Sequence, residues 1–79
     1  MNLVMQQHEV IRLIKSDKLR QACTACARMG VDVAEEREVV QLSERLAAPK
    51  EPLTPVYYNL FNHYRNAVVE SLIDKLDTL

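Results

Sequence analysis

One stretch constrains what this chain can fold into more than any other: Thr54 to Leu79, TPVYYNLFNHYRNAVVESLIDKLDTL. Thr54 can cap a helix while Pro55 takes its first position, where a missing N–H costs nothing. Apolar residues then recur at Tyr57, Leu60, Phe61, Tyr64, Ala67, Val68, Leu72, Leu76 and Leu79, the spacing of one helical face. Every aromatic residue of the protein (Tyr57, Tyr58, Phe61, Tyr64) falls in the first turns of this segment. It reads as a long core helix against which the upstream chain packs, with Tyr57, Phe61 and Tyr64 pointing into that core.

The upstream sequence supplies only helices for that packing. One Gly and three Pro leave little material for hairpin turns, and no segment alternates apolar and polar residues as a half-buried strand does. Leu3 to Lys15 forms a first helix, with Leu3, Val10, Ile11, Leu13 and Ile14 gathered on one side. Its apolar face lies roughly 130° from that of Leu19, Ala22, Cys23 and Cys26 at about 100° per residue. A straight helix cannot bury both against one partner, so the phase predicts a break at Ser16-Asp17, where either side chain suits an N-cap. A second helix then runs from about Asp17 to Met29. Gly30, the only glycine, ends it in the left-handed C′ position, with Val31 set for the accompanying apolar contact. Asp32 caps a third helix, about Val33 to Ala48, and Glu35 gives the start a capping-box pattern. That helix is expected to bury Val39, Val40, Leu42, Leu46 and Ala47, with Glu35, Glu36, Glu38 and Glu44 on its solvated face. Pro49 ends it, and Pro49-Lys50-Glu51-Pro52 forms a stiff linker. The fold class is therefore all-α: residues 1–79 as a single helical domain, a small bundle of four helices, or three if the first two merge.

Size and charge narrow the function. Seventy-nine residues bury only about 60–65% of their unfolded surface, so stability is thin without a metal, disulfides or a partner subunit. A net charge of −1 gives no electrostatic reason to expect nucleic acid or an anionic membrane surface. Two cysteines three residues apart make no disulfide framework, and neither a signal peptide nor a membrane-spanning run is present, so the expected address is a reducing cytoplasm.

Each chemical motif has a bland reading beside it. A redox Cys-x-x-Cys pair works with its first thiolate at a helix N-terminus, but Cys23 and Cys26 lie two turns inside a helix on its buried face. Zinc would need two further ligands, and His8 and His63 stand at spacings that match no common finger. The pair reads as small core residues, with no metal and no cofactor implied. A helix-turn-helix reading of the Gly30 junction would place Glu35, Glu36 and Glu38 against phosphates, which is strongly unfavourable.

Arg37-Glu38-Val39-Val40, followed by a helix carrying Phe61 and Ser71, loosely resembles the all-helical chorismate mutases over Gly30 to Leu72. The resemblance implies an all-helical enzyme with a site between subunits, lined here by Arg37, Glu38 and Arg65. The pattern departs at Ala34, where that family has an acid, and at Lys75, near the place of a glutamine. The arginine-bearing long first helix is replaced by a short one broken at Ser16-Asp17. Such an enzyme is the second expectation.

The first is a non-catalytic helical protein that acts by binding protein: a regulator, adaptor or chaperone-like subunit, as a homodimer or with a hetero-partner. The last helix, near 35 Å long, outruns helices of about 20–24 Å. Its second half adds Val69, Ile73 and Leu76 to the stripe, a broad face for a partner. The expected partner-binding residues are Tyr58, Arg65, Val69, Leu72, Ile73 and Leu76, with Tyr58 and Arg65 at the rim.

Overall fold

The computed structural model describes residues 2–47 and 54–79. Four helices, and no strand among the described residues, make the fold all-α: α1 (Leu3–Lys15), α2 (Leu19–Arg28), α3 (Ala34–Ala47) and α4 (Pro55–Asp77). The expected Pro49–Pro52 linker and the end of α3 at Ala48 lie outside the described residues.

Local signals set most boundaries. Asn2 caps α1 by accepting from the Met5 N–H, and Thr54 does the same for α4 from Tyr57 with Pro55 at the first position. The two internal corners are built alike. After α1, the Asp17 N–H donates to the Ile14 carbonyl and the Lys18 N–H to Leu13. After α2, the Gly30 N–H donates to Ala27 and the Val31 N–H to Cys26. Both are Schellman closures, with Gly30 at φ 85° and Asp17 at φ 63° in the left-handed position. The break at Ser16-Asp17 is thus present, but Asp17 closes α1 and does not cap α2. The N-cap of α2 is Lys18, without a side-chain bond. Asp32 accepts from the Ala34 N–H at 3.0 Å, and α3 begins there.

Packing then selects faces that propensity leaves open. The core joins Val10 and Leu13 of α1, Leu19, Ala22, Cys23 and Cys26 of α2, Val33 and Val40, and Val68, Leu72 and Leu76 of α4. Small residues on α2 let it lie close to α1, α3 and α4 at once. On α3 the buried positions are Glu36, Val40 and Ser43. Leu42 and Ala47, expected inside, are exposed, Val39 and Leu46 are half-buried, and Glu36, expected in solvent, is inside. The α3 face is rotated because Glu36 finds partners on α4.

The α3–α4 pair is antiparallel, with Lys75 beside Asp32 and Ser71 beside Glu36. Carried along both helices in step, that register brings the end of α3 level with about Leu60. The α1–α2 corner comes in beside Arg65, through the Arg65–Asp17 ion pair, and Gln7 Nε2 donates to the Leu76 carbonyl at 3.2 Å. Burial on α4 accordingly starts at Val68, and its first turns extend past the other described helices. The molecule is long and narrow, 43 × 19 × 15 Å.

Candidate functional site

The start of α4 carries a run of large exposed side chains, as the start of α1 does at Leu3, Val4 and Met5. Val56, Tyr57, Tyr58 and Leu60 are all exposed, Tyr57 by 51% and Tyr58 by 54%, and Phe61 and Tyr64 are half-buried. Tyr57, expected in the core, is not there. The reversal has a simple cause among the described residues: Ala47 of α3 stands level with about Leu60 and the α1–α2 corner stops at Arg65, so no described helix covers the aromatic turns. The other flank of the segment is polar, with Asn59, His63 and Asn66 exposed and Asn62 half-buried. From Thr54 to Val69 there is no acidic residue and a single formal charge, Arg65. Depletion of charge beside aromatic area is the composition of an interface centre.

The six expected partner-binding residues divide. Tyr58 is on this open surface. Arg65 is folded into the chain: its guanidinium pairs with Asp17 and lies 5.0 Å from the Phe61 ring centroid, and its side chain is only 20% exposed. Leu72 and Leu76 are core residues, so they add nothing to an outward face. Val69 is half-buried against the core, and Ile73 is 41% exposed on its own side of α4. The exposed apolar surface of α4 is therefore centred on its first half and not on its second.

A second cluster was not foreseen. The Glu36 side chain, 5% exposed, takes Lys75 Nζ at 2.8 Å on Oε2 and at 3.0 Å on Oε1, and the Ser71 hydroxyl also donates to it. Lys75 Nζ donates in addition to the Asp32 carbonyl at 2.6 Å. Burial pushes the Glu36 carboxyl up, but the bonds from Lys75 and Ser71 and the lysine charge outweigh it and hold the carboxyl below its ordinary value. The hydrogen bond to Glu36, with the charge of that carboxylate, holds Lys75 above its own. A lysine so protonated is no base for Ser71, and Ser71 spends its proton on the carboxylate. The cluster joins α3 to α4; its sequence signal was Ser71 and Lys75 one turn apart on α4, which carries no hint of a partner on α3.

The cysteines sit in the core as free thiols. Burial first, then Cys26 and Glu36 nearby, push the Cys23 thiol up to about 11, and burial likewise raises Cys26. Neither is a thiolate at neutral pH. Among the described residues no group of three or more His, Cys, Asp or Glu is placed to hold a metal ion. A cleft of about 240 Å³ between α2 and α3 is lined by Arg20, Cys23, Thr24, Arg37, Val40 and Gln41. Glu38 and Arg65 do not line it, and Arg20 is engaged by Glu44 in a two-pronged ion pair. The three residues expected to line an enzyme pocket are not gathered in it. No helix of the described chain is long and apolar enough to cross a membrane.

Comparison with protein-family models, with curated proteins and with solved structures finds no match.

Proposed function

We propose that this chain is a small non-catalytic interaction module, a regulator, adaptor or chaperone-like subunit, that binds protein through the exposed first half of α4. One observation carries the reading: four large apolar side chains, Val56, Tyr57, Tyr58 and Leu60, stand in solvent on two turns of a helix whose later turns are sheltered. Tyrosine supplies large, rigid contact area with a hydroxyl that remains satisfied at a wet rim. Burying four such side chains contributes about 1.5–3 kcal/mol each, enough to offset much of the cost of association. The chemistry elsewhere supports the same reading, because the buried Glu36 carboxylate is spent on Lys75 and Ser71. The two reduced core thiols suit a reducing compartment such as the cytoplasm.

The test compares capture by the wild-type chain with capture by Tyr58→Asp and Leu60→Asp variants, with Glu38→Lys as the control for a charge change elsewhere. Assembly with another chain, identical or different, should be lost in the first two and kept in the third. Equal capture by all four, or no assembly at all, defeats the reading.

A further inference from the structure

We infer that the cleft between α2 and α3 binds a small organic anion, one acidic group on a short apolar body, with Arg37 as the residue that holds the charge. The inference is independent of the α4 face.

The register of the two helices shows what the cleft lacks. Arg20 of α2 crosses to Glu44 of α3 in a two-pronged ion pair, Nε to Oε1 at 3.1 Å and Nη2 on Oε2. Carried back along both helices in step, that pair sets Thr24 beside Val40 and Gln41, and Arg37 opposite Ala27. The lining of the cleft agrees: its walls are Arg20, Cys23, Thr24, Arg37, Val40 and Gln41, with no carboxylate among these described residues. At one end a cation of α2 meets an acid of α3. At the other, a cation of α3 faces a methyl group. Arg37 belongs to none of the ion pairs among the described residues. A guanidinium offers a planar fork that a carboxylate or phosphate matches with two oxygens. The Arg20–Glu44 pair is that fit made within the chain; beside Arg37 the acid comes from outside.

The remaining lining defines the rest of the ligand. Val40 and Cys23 are buried and make the floor. The Cys23 thiol, pushed up to about 11 mainly by burial, is protonated at neutral pH and presents a small apolar surface. The charge of Arg37 acts on that thiol, which places the guanidinium over the same floor. Thr24 spends its proton on the Arg20 carbonyl at 3.2 Å, so its oxygen is left to accept from a ligand hydroxyl. Gln41, exposed, brings an amide donor to the rim. With Arg20 spent on Glu44, one positive charge remains, which one acidic group neutralises. The volume, about 240 Å³, falls below the roughly 300 Å³ at which sites for drug-sized ligands begin, so the body is a few carbons long.

The experiment titrates butyrate, propyl phosphate and butanol, each to about 20 mM at low ionic strength, into isotope-labelled chain followed by amide NMR. Saturable shifts at Thr24, Arg37 and Gln41 are expected from at least one acid and not from butanol; the tighter acid identifies the head group. Arg37→Ala should weaken that binding about tenfold or more, and Arg45→Ala, on the exposed side of the same helix, should leave it unchanged. Ala27→Glu should also remove it, by giving Arg37 an acid within the chain. Circular dichroism confirms equal helicity in all variants. No saturable shift from either acid overturns the inference, as do equal shifts from butanol, which would make the cleft merely apolar. Binding indifferent to Arg37→Ala or to Ala27→Glu also overturns it, and so does equal weakening by Arg45→Ala, which would mean general attraction to the chain's cations.

Discussion

Lys75 reaches from α4 to Glu36 on α3, Nζ to Oε2 at 2.8 Å, and it brings a partly exposed cation to a carboxylate that the fold has almost closed off from water. The two members are unequal. Without Lys75 the Glu36 carboxylate loses its cation, keeps the Ser71 hydroxyl and stays inside; without Glu36 the ammonium can turn to solvent. Lys75→Met should therefore cost about 2 kcal/mol and Glu36→Gln about 1 kcal/mol, with the double variant costing less than the sum. Urea unfolding of the three variants measures this. A greater cost for Glu36→Gln than for Lys75→Met would contradict the assignment.

The same pair sets an acid limit. The folded Glu36 carboxyl lies below its unfolded value of 4.5, so its contribution is complete above about pH 4.5 and is lost as pH falls through the folded value. The stability gap between wild type and Glu36→Gln should be widest near neutrality and close progressively below pH 4.5. Urea midpoints from pH 3 to pH 7 test it, and a gap that does not change with pH would exclude Glu36 as the titrating group.

Two left-handed residues turn the chain, and their costs separate cleanly. A Cβ at Gly30 meets nothing within 4 Å, so Gly30→Ala should cost about 1 kcal/mol from backbone conformation alone. At Asp17, both Asp17→Ala and Asp17→Gly discard the bond to Arg65, and only the alanine retains a Cβ in the left-handed region. Asp17→Gly should be the more stable of the two by about 1 kcal/mol in thermal or urea melts. Equal stabilities would mean that the corner relaxes.

Position along α4 decides whether a substitution unfolds the chain or strips its surface. Leu72 is completely buried, so Leu72→Ala should cost about 3 kcal/mol, and Leu72→Asp should not fold. Tyr58→Ala should change stability by no more than about 0.5 kcal/mol in dilute melts. If the tyrosine variant proved as damaging as Leu72→Ala, the aromatic turns would be core after all.

What the sequence determined by itself was local. Thr54 and Pro55 start α4, Gly30 stops α2, and the jump in hydrophobic phase at Ser16-Asp17 separates α1 from α2; each depends on groups a few residues apart. Tertiary structure decided which faces count. Glu36 goes inside because its partners stand 35 and 39 residues further along, and Leu42 moves outward with the rotation that brings Glu36 there. The aromatic turns of α4 look like core by spacing, yet among the described residues α3 reaches only to the level of Leu60 and the Asp17 corner arrives too late to cover them. Periodicity specifies that a helix has an apolar side; the lengths and register of its neighbours specify how much of that side they can reach.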